Sequence, residues 1–446
     1  MASMFKLNLA LVVLLTAATG LAAPAFADEA SPAPAACPSS LPDATCYRGQ
    51  DDNGAWYWIA IPANWNHELI VHAHGGPSIK PPQPDTSKAD LDRFSVMVRQ
   101  GYAWIGSSYR RGGYGVRMAA ADTDHARALF WRFFGKPERT ILHGQSWGGN
   151  VAAKTEELYA LDLDGGKNYD GVLLTSGVLG GGTRAYQFRA DLRAVYQYYC
   201  HNMPRPDEPQ YPLWQGLPAD SSMTEKELHQ RIDACTGIDE KSEQRTPQQA
   251  ENLKNILAVA GIRESHLVHH MAWASFLFRD LVTTRLDGLN PFDNSQTVYH
   301  GSDDDKALNA GVTRFKANPR AVAKLAYDAD LSGLIVLPTL TIHAINDPTA
   351  NFNMEAQYAE VVAHAGRSDL LVQTATDERV HEHLSDAEYV ALLNALEAWI
   401  RTERRPDQAG IATDCQTLRI AGGCHFQTPP RTAEVAAPQR APQTAP

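Results

Sequence analysis

The sequence predicts an α/β protein with a mostly parallel central sheet, helices on both faces and a large helical cap insertion. Three observations predict it. Short apolar runs of strand length alternate with segments of helical periodicity, as a parallel sheet with helical crossovers requires. One strand-to-helix junction is compressed into Gly144-Gln145-Ser146-Trp147-Gly148, where glycines two positions either side of a serine leave room for a very tight turn. The alternation then stops from about residue 182 to about residue 326, where the chain becomes polar, aromatic-rich and helical, and resumes afterwards.

The elements follow in order. Lys6, an apolar stretch from Leu7 to Leu21 and Ala25-Phe26-Ala27 form a secretory signal over residues 1–27, so the mature chain is expected to begin at Asp28. Residues 28–182 are the first part of the core. Within them Ala55–Pro62, Glu68–His74 and Tyr102–Ser108 read as strands. Asp122–Phe134 has apolar residues at helical spacing and stops at Gly135 and Pro137. Thr140–His143 reads as a buried strand and Asn150–Glu156 as the helix after the tight turn, with Gly171–Thr175 as the next strand. Residues 183–325 are the cap, with candidate helices at Gln187–Tyr199, Glu225–Cys235, Pro247–Ala260 and Ser265–Thr284. Residues 326–405 are the second part of the core, with strands at Gly333–Leu337, Thr339–His343 and Leu370–Thr374. A last helix opens on Ser385-Asp386-Ala387-Glu388, which has the form of a capping box. Residues 406–446 are an extension that loses periodicity; from Gln427 it is rich in Pro, Ala and Thr and is expected to be disordered.

A formal charge of -11 offers no basic face for phosphates, so nucleic acid is not an expected partner. After the signal no segment has the roughly 18 consecutive apolar residues of a membrane span. Six cysteines in an exported chain fit three disulfides. Cys37 lies close to Cys46, Cys200 and Cys235 share the insertion, and Cys415 lies close to Cys424, which suggests nearest-neighbour pairing.

The candidate chemistry centres on Ser146. A serine hydroxyl needs a base to take its proton and a carboxylate to orient that base. On an open α/β sheet these should follow in the order serine, acid, histidine, in loops after later strands. Asp347, in Ala344-Ile345-Asn346-Asp347-Pro348, is the candidate acid, with Asp330 and Asp377 as alternatives; His381 is the candidate base, with His383 as the alternative. His74-Gly75-Gly76-Pro77 ends a strand where backbone N–H groups could face a developing oxyanion. Gly75, Gly76 and the N–H of Trp147 are therefore the candidate oxyanion hole, and Tyr109 and Trp147 the candidate substrate contacts. His266, His269 and His270 share one face of a cap helix, but no carboxylate or cysteine completes a metal set at ligand spacing, so a packed or pocket-lining helix is the expectation.

Taken together, His74-Gly75-Gly76-Pro77, Gly144-Gln145-Ser146-Trp147-Gly148-Gly149, Asp347 and His381 resemble the α/β-hydrolase superfamily. The resemblance covers the two sheet-forming segments, about half of the mature chain. The Gly-Gly-Pro run and the Trp-Gly-Gly after the serine are similar to prolyl iminopeptidase-like enzymes. However, Ser78 stands where those have glycine, and Ser108-Tyr109-Arg110-Arg111-Gly112-Gly113-Tyr114 is more similar to secreted esterases. The resemblance implies a secreted, periplasmic or extracellular, serine hydrolase that cleaves a small-molecule carboxylic ester through an acyl-enzyme and uses no cofactor or metal. The alternatives are an amidase or aminopeptidase with the same triad, and a non-catalytic binding protein on the same fold.

Overall fold

The computed structural model describes residues 30–381 and 383–429. The signal segment, the expected start at Asp28, Glu382 and most of the terminal tail lie outside the described residues. Among the described residues a ten-stranded sheet organises the fold, in the order β1-β2-β3-β5-β4-β6-β7-β8-β9-β10. The strands are β1 (Ala33–Ala35), β2 (Ala44–Gln50), β3 (Trp56–Pro62), β4 (Glu68–Ala73), β5 (Ala103–Ser107), β6 (Arg139–Gln145), β7 (Gly171–Thr175), β8 (Thr339–Ala344), β9 (Leu371–Thr376) and β10 (Phe426–Gln427). From β5 through β4, β6, β7 and β8 to β9 every pairing is parallel; β1, β2 and β3 on one side and β10 on the other run antiparallel to their neighbours.

Burial explains the composition of these strands. Every residue of β4, β5, β7 and β8 is buried, because a parallel interior strand has helices on both faces and no solvated side. Alternate side chains feed two separate cores. Val71, Leu142 and Leu174 enter one, shared with α3 (Val116–Phe134) and α4 (Trp147–Tyr159); Ile70, Ile141 and Leu173 enter the other, shared with α1 (Thr86–Arg93), α2 (Ser95–Arg99), α13 (Asp386–Thr402) and α14 (Gln408–Thr417).

The strand order puts the site in place. The chain leaves β4 and crosses to β5 on one side, then returns through α3 to β6 on the other side, so the loops after β4 and β6 diverge at their carboxyl ends. Such a reversal opens a crevice where ligands of open α/β sheets bind. The strand order, this switch point and the turn after β6 are those of the α/β-hydrolase fold.

Between β7 and β8 run α5 (Gly181–Ala185), α6 (Gln187–Cys200), α7 (Glu225–Thr236), α8 (Pro247–Ala260), α9 (Leu267–Ala272), α10 (Asp305–Gly311) and α11 (Pro319–Ala329); α12 (Asn353–His364) follows β8. Leu192, Val195, Leu228, Ile256 and Met271 from these helices join the same core as Val71 and Leu142, so the inserted helices and the sheet bury apolar surface together. The Cys200–Cys235 disulfide ties α6 to α7, and Cys37–Cys46 and Cys415–Cys424 complete the nearest-neighbour set.

Three sequence expectations are corrected. Gly333–Leu337 is not a strand: Ile335 and Leu337 are buried while Leu334 and Val336 are exposed. The N–H groups of Val336 and Leu337 donate to Glu156 and that of Gly333 to Glu157, so side-chain carboxylates replace a ladder. Ser265–Thr284 is not one regular helix, since α9 passes into π-helical turns at Trp273–Leu277 and Asp280–Arg285. Beyond Arg405 order continues through α14, where Asp407 accepts from the Gly410 N–H at 2.8 Å and Ile411 and Cys415 share the buried face.

Candidate active site

Ser146 sits at the turn between β6 and α4 with φ 57° and ψ -127°, a strained combination for a residue with a Cβ. The surroundings hold it there. Its N–H donates to the Thr175 carbonyl at 3.0 Å, and its own carbonyl accepts from Gly149 and Val178, each at 2.9 Å. The glycines are needed for close approach: a Cβ on Gly144 would strike the Gly148 carbonyl and the Ala152 methyl, and one on Gly148 would strike the carbonyls of Ala73 and His74. Gly148→Ala is therefore expected to push the loop after β4 away from the turn. The expected cost is about 1–3 kcal/mol of stability, read by urea unfolding, with loss of activity at temperatures where the fold survives.

The histidine and acid arrive from loops after β9 and β8. His381 Nε2 lies 2.9 Å from Ser146 Oγ, and His381 Nδ1 lies 2.8 Å from both carboxylate oxygens of Asp347. Asp347 Oδ1 also accepts from the N–H groups of Thr349 and Ala350 at 2.8 Å, and His343 Nε2 approaches Oδ2 at 3.7 Å. Burial pushes the Asp347 carboxyl up, but the hydrogen bond and charge of His381, the charge of His343 and the Thr349 N–H outweigh it and hold it below its ordinary value. The Asp347 side chain is fully shut off from solvent, whereas 15 % of the His381 side chain is open, so water can reach the imidazole edge and not the acid.

The residues that form the His381 loop are held by the chain's far end. The Asp377 N–H donates to the His425 carbonyl at 3.1 Å, and Ser385 Oγ donates to the Gly423 carbonyl at 2.6 Å, on either side of His381. Cys415–Cys424 closes that segment. Replacing both cysteines by alanine is expected to lower stability by roughly 2–3 kcal/mol in a denaturant titration. Because the loop is anchored there, kcat should fall more than KM rises.

His74-Gly75-Gly76-Pro77 faces the turn from β4. Tyr109 Oη donates to the His74 carbonyl at 2.8 Å, and His74 Nδ1 lies 2.6 Å from Asp90 Oδ2 on α1, so the loop is fixed from two sides. Burial opposes ionisation of Asp90, yet the charges and hydrogen bonds of His74 and His72 hold its carboxyl well below the usual range. Gly76 has φ 111° and Gly75 packs against the Gln145 side chain, which leaves no room for a Cβ. As the first residue of α4, Trp147 has an N–H with no intrahelical acceptor. Tyr109 and Trp147 are themselves buried, at 4 % and 1 % exposure, and their edges border a cavity of about 270 Å³ with Gly75 and Gly112.

The structure does not bring the alternatives to Ser146. Asp330 accepts from the N–H and hydroxyl of Thr183, Asp377 lies beside His425, and His383 is exposed with its N–H on the Val380 carbonyl. His266 and His270 border a cavity of about 230 Å³ next to Asp347, and His269 borders another of about 870 Å³ that reaches Pro77 and Ser78. Among the described residues no cluster of His, Cys, Asp and Glu is arranged to hold a metal. Asp90 and His343 carry no sequence motif, and their roles appear only once the sheet brings α1 behind β4 and Asp347 beside β8.

No protein-family model and no curated protein matches the sequence. Among solved structures the chain is similar to feruloyl esterase B from Aspergillus oryzae, at 12 % identity and a TM-score of 0.45 over 85 % of this chain and 88 % of that one. It is also similar to the rice cell wall degrading esterase LipA from Xanthomonas oryzae in a ligand-bound form (15 %, TM-score 0.38, 81 % and 88 %) and to esterase B from Lactobacillus Rhamnosis (11 %, TM-score 0.39, 81 % and 88 %). At these values nothing about the site is carried across, and it stands on its own geometry.

Proposed function

We propose that the protein is an exported serine hydrolase that cleaves carboxylic esters through an acyl-enzyme. One observation carries the reading: a continuous chain from Ser146 Oγ through His381 to a buried Asp347, at 2.9 and 2.8 Å, built on a strained turn at the switch point of the sheet. His381 takes the Ser146 proton as Oγ bonds to the ester carbon. The carbonyl oxygen becomes an oxyanion that the N–H groups of Gly75, Gly76 and Trp147 receive. His381 then returns the proton to the alcohol oxygen as the C–O bond breaks. Water repeats the sequence on the acyl-enzyme, giving up its proton to His381, and Ser146 leaves protonated as the acid is released. Asp347 keeps the imidazole in the right tautomer and stabilises its charged form throughout.

Two further observations support the reading. Three disulfides fit an oxidising compartment outside the cytosol. An aminopeptidase would need a carboxylate to receive a free amino group, whereas from the cap it is a buried cation, Arg189, that reaches the acid loop, with its Nη2 on the Thr349 carbonyl. The test is turnover of matched nitrophenyl esters and nitroanilides by the purified mature protein. Faster turnover of a free-amine aminoacyl anilide than of its ester would overturn the ester assignment.

A further inference from the structure

Arg189, on α6, is only 3 % exposed and reaches toward the acid loop. Its Nη2 donates to the Thr349 carbonyl at 3.1 Å, two residues beyond Asp347. The guanidinium lies 4.5 Å from the ring centre of Trp273 and 4.6 Å from that of Phe188. Nε has no acceptor, and among the described residues no carboxylate forms an ion pair with it. Arg193, Arg231 and Arg285 also have an Nε without an acceptor, so what distinguishes Arg189 from most of them is the missing carboxylate. Arg231 is paired with both oxygens of Glu208 and with Glu227, Arg127 with Asp124, and Arg110 with Asp122. Arg193, one turn further along α6, also lacks a carboxylate and has Nε and Nη1 unmet, but it points into the cap, where its Nη2 is given to the Gly216 carbonyl and the Tyr211 hydroxyl.

A guanidinium stripped of water is stable only when its donors are met, and a carboxylate is the acceptor whose geometry matches its fork. Burial lowers the Arg189 pKa to about 10, which still leaves the group charged at neutral pH. Around it, burial and then the Arg189 charge lower His269 to about 4 and His270 well below its ordinary value, so both face the guanidinium as neutral rings. Asp347 is the carboxylate whose charge reaches Arg189, and its oxygens are already taken by His381 and the loop N–H groups. Thr349 and Phe188 border the cavity of about 230 Å³ beside Asp347, and Trp273 and His269 the one of about 870 Å³ that reaches the Gly-Gly-Pro loop. Arg189 packs against Phe188 of the first set and Trp273 of the second. The wall is braced: Trp273 stacks on Tyr186 at 5.1 Å, Tyr186 meets Tyr114 at 5.6 Å, and Tyr114 meets Trp147 at 5.8 Å, so rings connect the arginine platform to the serine turn.

We infer that Arg189 is the subsite for an anionic group of the substrate, so that the protein takes esters bearing a free carboxylate, held by the guanidinium while the ester carbonyl lies on Ser146. This rests on the ester-hydrolase reading above. The test compares kcat/KM for the monomethyl and dimethyl esters of succinic and adipic acids in the wild type, Arg189→Met and Arg189→Lys. The wild type should prefer the monoester at least about tenfold. Arg189→Met should reduce the monoester-to-diester ratio roughly 10–100-fold, chiefly through KM, with Arg189→Lys in between. A wild type indifferent to the free carboxylate overturns the inference, as does a ratio unmoved in Arg189→Met; an arginine that only steadied the Thr349 loop would slow both esters alike. Should Arg189→Met not fold, the wild type decides: succinate should inhibit competitively and succinamide should not, and equal inhibition overturns the subsite. Fluorophosphonate labelling and nitrophenyl acetate hydrolysis in the same preparation separate the two readings. If both are present without a carboxylate preference, only the subsite falls; if both are absent, the hydrolase reading falls and takes the subsite with it.

Discussion

Ser146→Ala is expected to lower kcat on esters by roughly 10³–10⁶-fold and to abolish labelling by a fluorophosphonate, while the melting temperature moves by no more than about 2 °C. The size follows from what the hydroxyl does. It is the group in hydrogen-bond reach of His381 Nε2, and without it no covalent intermediate forms; the N–H groups of Gly75, Gly76 and Trp147 would still act on a water attack, which sets the residual rate. The fold should be indifferent, because the bonds that hold the turn are made by the Ser146 backbone to Thr175, Gly149 and Val178. Alanine also carries a Cβ, so the positive φ is no worse occupied than before. Labelling that persisted in the variant would move the nucleophile elsewhere and overturn the site.

Asp347→Asn is expected to cost about 10⁴-fold in kcat with little change in KM. The loop decides how the new amide sits. Thr349 and Ala350 both donate to Oδ1, so the amide oxygen stays there and the amino group is left facing His381 Nδ1. That group can only donate, which puts the imidazole proton on Nε2, pointing at the serine, and the histidine can no longer act as base. The same substitution has a signature in stability. The folded-state pKa of Asp347 is depressed, so its contribution is present above the ordinary carboxylate value near 3.8 and is lost as pH falls through the folded value. The stability gap between wild type and Asp347→Asn, measured by urea unfolding, should therefore be full at pH 6 and shrink below about pH 4. A gap that widened in acid would mean that the buried carboxylate is destabilising.

The parts of this molecule that were legible in the sequence are those whose physics is local. A buried parallel strand announces itself as an apolar run, which is why β4 to β9 are readable. A turn that tolerates no side chains announces itself as paired glycines, hence Gly144 and Gly148. Pro247–Ala260 is readable to the residue, because Thr246 and Gln249 form a capping box and Gly261 ends the helix. What escaped is decided by partners distant in sequence. Gly333–Leu337 has a strand's composition, but Glu156 and Glu157 take its N–H groups. Arg189 is one arginine among many until α6 is laid against the Thr349 loop, and Asp90 is an ordinary helix residue until α1 packs behind His74.

The two margins of the sheet share a design whose effect lies outside the active site. An open sheet ends in unpaired N–H and C=O groups that can recruit a strand from another chain, which is how aggregation begins. Among the described residues the outermost strands, β1 and β10, have three and two residues, each antiparallel to its neighbour and each beside a short disulfide loop, Cys37–Cys46 or Cys415–Cys424. Edges that short give an intruding strand almost nothing to pair with, so a sheet of ten strands presents to its neighbours in solution hardly any sheet at all.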